Sequence, residues 1–153
     1  MDPSAGYRPR LPSGFAICAS LPDILYLPEL VFGGLVWILV ACTYIYPVNP
    51  QAWVMAVSIF CFIMTFIWMF VFLCGSHNDR YAWAAADVFY HFIATVLYLG
   101  ASVPLAEVTL FMSNYNATLV YYQMDISAVV FAYITTLLYF VHTVFSAIRW
   151  KSF

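Results

Sequence analysis

Apolar positions gather into four long runs, 24–45, 52–73, 84–106 and 126–148, each 22 or 23 residues. At a rise of about 1.5 Å per residue, each run predicts a helix about 33–35 Å long, enough to cross a hydrocarbon core of about 30 Å with modest tilt. The second run has no ionisable side chain except Cys61, whereas the first and third carry Glu29 and Asp87, and the third also Pro104. The connections are short: 46–51, where Pro47 and Pro50 bracket a turn, 74–83, and 107–125. Such connections force an up-down-up-down arrangement. The expected fold is an all-α, four-transmembrane antiparallel bundle over 24–148, with tails at 1–23 and 149–153. Residues 2–14, rich in Pro, Ser and Gly, read as a solvated tail without fixed structure.

Composition sharpens this picture. The chain is 65% apolar, 20% aromatic and 8% charged, against about 25% charged residues in ordinary soluble domains. Too few charges remain to clothe a water-facing surface, which excludes a soluble enzyme, a nucleic-acid module and a disulfide-stapled secreted domain. A net charge of −2 supplies no basic stripe for phosphates, so no nucleic-acid partner is expected. The five cations are Arg8, Arg10, Arg80, Arg149 and Lys151. With four crossings they all fall on one side, and the positive-inside rule puts both termini in the cytoplasm. The first run lacks a small-residue cleavage site after it and reads as a retained helix.

Ionisable groups in hydrocarbon are expensive and call for partners. Measured from the cytoplasmic end at about 1.5 Å per residue, Glu29 lies about 7 Å deep, Asp87 about 5 Å, His91 about 10 Å and His142 about 9 Å. Four polar groups from three helices thus share one layer, and Asp87 and His91 are four apart on one helix face. In the structural reading they satisfy one another between helices, with water and nearby Tyr90 or Tyr98, and set the packing register. In the functional reading they form a proton or ion step. The structural reading is favoured, because a transport path needs polar stations in both leaflets and the second and fourth runs look almost wholly apolar in the outer half. A carboxylate and two His suit a divalent metal, but the mutual facing of their helices is open, and no metal or other cofactor is expected.

Glu107 and Asp125 read as water-facing residues that end helices, and Asn116-Ala117-Thr118 between them is a glycosylation sequon on the outer side. Cys18 and Cys74 lie near the cytoplasmic interface, where reversible palmitoylation occurs. Small residues that let helices approach are Gly33 and Gly34, beside Trp37, in the first run, Gly100 in the third, and Ala128 and Ala132 in the fourth. Aromatic residues mark both interfaces, among them Tyr44, Tyr46 and Trp53 outside and Tyr26, Tyr81, Trp83 and Trp150 inside. The many Phe of the second run cannot all face one core, so some must face acyl chains or a second copy. No nucleophile with a paired base, phosphate cradle or metalloprotease motif is present, and no enzymatic activity is expected.

The segments ELVFGGLVWILVA (29–41), AWVMAVSIFCF (52–62), DVFYH (87–91) and AVVFAYITTLLYFVHTVFSAIRWKS (128–152) closely resemble the MAL proteolipid family, whose members carry the MARVEL four-helix membrane domain. The similarity runs from Leu11 onward and includes LPSGF (11–15) and LPD (21–23). Ala52 departs from the Gly the family usually has before WVM. The resemblance implies a non-enzymatic proteolipid of cholesterol- and sphingolipid-rich membrane domains, with those lipids and membrane cargo proteins as partners, and a homo-oligomeric state is expected. It implies roles in apical or polarised vesicle transport and in myelin membrane organisation, with both termini cytoplasmic. Ile148, Arg149, Trp150, Lys151 and Ser152 match a segment that serves sorting in the family, so Arg149, Trp150 and Lys151 are expected at the interface. The competing reading is a small proton or ion channel built on Glu29, Asp87, His91 and His142.

Overall fold

The computed structural model describes residues 11–21, 23–43, 48–76, 78, 80–114 and 119–152. Most of them lie in α1 (Tyr26–Cys42), α2 (Val48–Leu73), α3 (Tyr81–Asn114) and α4 (Leu119–Lys151), preceded by two 3-10 turns at Gly14–Cys18 and Asp23–Leu25. α1 and α3 each pack against both α2 and α4, so the helices form a ring in which successive members run antiparallel. The starts of α1 and α3 and the ends of α2 and α4 share one end of the bundle, called here the terminal end; the other is the distal end.

The buried positions advance in alternating steps of three and four. The seam of α1 is Tyr26, Glu29, Gly33, Val36 and Val40, that of α2 is Gln51, Val54, Ser58, Cys61 and Thr65, that of α3 is Ala84, Asp87, His91, Ala94, Tyr98, Ala101, Leu105 and Val108, and that of α4 is Asp125, Ala128, Ala132, Thr135, Tyr139, His142 and Ser146. A seven-residue repeat keeps one seam of each helix turned to its partners, in membranes as in coiled coils. This seam is rich in small and polar residues. Bulky side chains point outward instead, among them Phe60, Phe66 and Phe70 of α2 and Phe89 and Phe92 of α3. The arrangement follows from the solvent: lipid tails are as apolar as a Leu core, so helices associate through close backbone contact and polar pairing.

A Cβ on Gly33 would stand 3.1 Å from the Tyr98 hydroxyl, and one on Gly34 would stand 3.3 Å from the Phe62 ring. Trp37 packs edge-on to the same Phe62 ring, with centroids 6.0 Å apart. Gly100 corrects the sequence expectation: it is exposed and a Cβ there would meet nothing within 4 Å. Pro104, inside α3, supplies a different reason for it. Proline has no N–H for the carbonyl four residues back, and its ring crowds that carbonyl; Gly100 is the residue at that point.

α2, α3 and α4 outrun their expected ends, while α1, Tyr26–Cys42, stays within the expected 24–45. α3 continues past Pro104 to Asn114 and α4 starts at Leu119, so most of the connection expected at 107–125 is helix. Glu107 is exposed within α3, but Asp125 is fully buried, contrary to its reading as a water-facing helix end. The tail is corrected as well. Leu11 and Ile17 are buried in a small cluster with Phe72 and Ala84, and Asp23 is buried too, so the chain from Leu11 caps the terminal end. Asn116, Arg8, Arg10, Tyr44 and Tyr46 lie outside the described residues.

Candidate functional site

The seam spacing brings Glu29, Asp87, His91 and His142 together at the terminal end, each at most 1% exposed. His142 Nδ1 lies 2.7 Å from Glu29 Oε1, and His91 Nδ1 lies 2.8 Å from the Asp87 backbone carbonyl and 3.2 Å from Asp87 Oδ1. Carbonyl and carboxylate oxygens only accept hydrogen bonds. Both Nδ1 atoms are therefore the donors. The two imidazoles stack with centroids 3.6 Å apart and planes 23° apart, and the Tyr26 ring stands edge-on to His142 at 4.7 Å.

Asp87 is the hub. Its Oδ1 accepts from the Tyr26 hydroxyl at 2.8 Å and from Trp68 Nε1 at 2.7 Å, while Oδ2 accepts from the Ser146 hydroxyl and from Arg149 Nη2 at 2.9 Å. The other arm of the guanidinium, Nη1, reaches Asp23 Oδ2 at 2.7 Å, and its carbon lies 5.5 Å from the centre of the Phe72 ring. A forked cation thus joins the turn before α1 to α3 and α4. A buried charge needs such pairing and hydrogen bonding to persist away from water.

Several sequence readings change here. Arg149, expected at the interface as part of the sorting segment, points into the bundle mouth with its side chain 12% exposed. Trp150 is half-buried with its ring 5.8 Å from Tyr81, while Ile148, Lys151 and Ser152 are exposed. Tyr26, read as an interfacial aromatic, is fully buried. Tyr90 lies beside the layer as expected, its ring edge-on to His91 at 4.9 Å, but its hydroxyl meets Thr65 at 2.7 Å, and Thr65 in turn meets the Tyr139 hydroxyl at 2.6 Å; the Tyr98 hydroxyl, beside Gly33, has no hydrogen-bond partner among the described residues. Asp23, Trp68 and Ser146 were missed. The signal that finds Trp68 and Ser146 is the three-and-four spacing, which sets them on the seams of α2 and α4. Cys18 and Cys74 are exposed with free thiols.

Polar seams also continue beyond this site. Ser102 and Thr136 lie 3.3 Å apart, and at the distal end Thr43 donates to Gln51 Oε1 at 3.0 Å while Gln51 Nε2 donates to both Asp125 oxygens at 3.1 and 3.2 Å. Gln51 and Asp125 flank the second and fourth runs, whose outer halves stay almost wholly apolar; Ser58, Thr135 and Thr136 are the buried polar residues there, single positions on the inward face that hydropathy averages away.

The four helices are long and apolar enough to cross a membrane. A family model described as MARVEL, a membrane-associating domain, matches residues 17–145, across all four helices. The chain belongs to the MARVEL family. It is 47% identical over 153 residues to the myelin and lymphocyte protein of Bos taurus, covering 99% of each chain. It is 48% identical over 142 residues to the protein of that name from Homo sapiens, covering 93% of this chain and 92% of the other. A more distant relative is the CKLF-like MARVEL transmembrane domain-containing protein 8 of Bos taurus, 29% identical over 136 residues, which are 87% of this chain and 76% of that one. No solved structure matches. This MARVEL chain is accordingly a four-span, multi-pass membrane protein akin to the MAL proteolipids, and these relatives are not named for enzymes.

Proposed function

We propose that this protein is a non-enzymatic proteolipid that organises cholesterol- and sphingolipid-rich membrane domains, with both termini cytoplasmic, and that it supports apical or polarised vesicle transport and myelin membrane organisation. The observation that carries this reading is the distribution of bulk. Tight, partly polar seams occupy the interior, and the aromatic and branched residues that would fill a ligand pocket line the outside, with Phe60, Phe66, Phe70, Phe89 and Phe92 each about half exposed or more. Such a surface has acyl chains, sterols, cargo spans and further copies of the chain as its natural contacts. The name of the relatives, myelin and lymphocyte protein, fits a myelin role. The test is partition of the purified, labelled protein in phase-separated giant vesicles, paired with polarised cargo delivery after its removal from cells. Enrichment in the ordered phase and misdelivered cargo are expected; residence in the disordered phase with unchanged delivery ends this reading.

A second reading, a proton or ion conductor, is favoured by the polar stations at the terminal end, around Thr65 and at Gln51–Asp125. Valine and leucine side chains, among them Val36, Val54 and Leu105, share the same core. Flux through the protein in liposomes, lost in Asp87→Asn, is its mark; no flux above protein-free liposomes removes it.

A further inference from the structure

We propose that the segment from Leu11 to Leu25 is an in-plane membrane anchor, which sets Phe15, Leu21 and Ile24 into the headgroup–acyl boundary of the leaflet at the terminal end. Its two faces differ. Leu11, Ile17 and Asp23 turn inward and are at most 4% exposed, whereas Phe15 is 89% exposed, Leu21 63% and Ile24 39%. Asp23 is the only charged residue between positions 11 and 25, and Arg149 Nη1 holds it at 2.7 Å. That pair commits the one charge to the bundle mouth and leaves the outward face with large apolar side chains and no charge among them. The Ser20 hydroxyl is turned back to the chain as well, donating to the Ala16 carbonyl at 2.8 Å. A contiguous exposed apolar surface of this kind marks a contact site for a protein or a membrane.

The occupant is lipid, because the place of the segment in the fold is at bilayer level. α1 has 17 residues, about 25 Å at 1.5 Å per residue, which falls short of a hydrocarbon core of about 30 Å. What flanks α1 must cover the difference. The Tyr26 hydroxyl, at the start of α1, meets Asp87, which lies six residues past the start of α3. The first turns of α3 therefore rise beside the segment rather than beside α1. Leu11 and Ile17 share their cluster with Ala84, and Trp83 and Trp150 pack against it. Trp and Tyr gather where hydrocarbon gives way to headgroups, and Tyr81, against Trp150, completes that belt. The lipid-facing stripe of α1 also runs on into the segment: Ile24, Leu27 and Val31, three and four apart, are all exposed. The backbone agrees with this depth. Short 3-10 turns leave N–H and C=O groups without internal partners, which is costly in hydrocarbon but not at the interface, where water remains. Segments lying in that boundary bury their apolar face about 5–10 Å.

The test uses the full chain in phosphatidylcholine liposomes, carrying Cys18→Ser, Cys42→Ser and Cys74→Ser, with a nitroxide attached through Phe15→Cys or Leu21→Cys. Electron paramagnetic resonance reads collisions with oxygen, which concentrates in lipid, against collisions with a water-soluble nickel chelate. Val31→Cys on the exposed stripe of α1 and Ser152→Cys at the exposed chain end serve as references. At positions 15 and 21 the oxygen-to-nickel ratio is expected to stand well above that at 152 and below that at 31, as for side chains at the boundary. A ratio equal to that at 152 puts the segment in water and overturns the anchor. Poor access to both reagents that is relieved by diluting the protein in lipid identifies a second copy as the occupant and overturns it too. If the labelled variants do not fold, the unmodified chain is irradiated with a phospholipid carrying a diazirine at the top of its acyl chain. Cross-links within 11–25 are expected; cross-links in α1 with none in that segment overturn the proposal. None of these outcomes depends on preference for an ordered lipid phase.

Discussion

Arg149 shows how one residue changes meaning between chain and fold. In the sequence it is one of two cations after the last span; in the structure its two Nη atoms hold Asp23 and Asp87. Breaking a buried pair by removing one partner costs about 3–5 kcal/mol, so Arg149→Ala is expected to lower the melting temperature sharply, and Lys151→Ala, at an exposed position, to leave it unchanged. Thermal unfolding in detergent, read by circular dichroism, checks both. Gly33 and Gly100 form a second contrast. Gly33→Leu drives a side chain into the Tyr98 hydroxyl and Thr135, and overpacking of this kind costs about 1–3 kcal/mol. Gly100→Leu, into open space, is expected to stay within about 0.5 kcal/mol of the parent chain. The polar layer itself was legible from depth alone, because Glu29, Asp87, His91 and His142 have too few alternatives in hydrocarbon. Asp23 was not, since a carboxylate just before a span reads as solvated until the chain folds back over it.

The two longest elements carry the largest revision. At 34 and 33 residues, α3 and α4 extend about 50 Å at 1.5 Å per residue, well past a hydrocarbon core of about 30 Å. The seams explain this: Leu105 and Val108 keep the three-and-four rhythm on α3 beyond Pro104, and Asp125 keeps it on α4. Charge had suggested loop ends where the inward face simply continued. The Gln51–Asp125 pair ties α2 to α4 there, and Gln51→Leu leaves a buried carboxylate without that donor. A loss of about 1–3 kcal/mol is expected, and the double variant Gln51→Leu/Asp125→Leu is expected to be less destabilised than the sum of the singles. A double-mutant cycle measured in detergent gives the coupling, and strict additivity would show that the pair does not hold these helices.

For the whole molecule, the native cysteines report orientation. Cys18 and Cys74 are exposed at the terminal end, Cys42 is exposed at the distal end of α1, and Cys61 is buried. If the termini are cytoplasmic, an impermeant maleimide on intact cells should reach Cys42 alone, then Cys18 and Cys74 after permeabilisation. A gain at Cys18 or Cys74 that appears only after hydroxylamine treatment marks acylation there. Labelling of Cys18 on intact cells would reverse the topology. The number of spans, their antiparallel order and the placing of Arg80, Arg149 and Lys151 at one end were determined by the sequence by itself, because run length and charge placement along the chain suffice for them. Which side of each helix faces inward was decided only by the tertiary structure. Lipid and core are both apolar, so hydropathy does not distinguish them, and the choice falls to close packing and to polar pairs between residues far apart in the chain. Asp23 meets Arg149 across 126 positions and Gln51 meets Asp125 across 74, and no local pattern encodes such meetings.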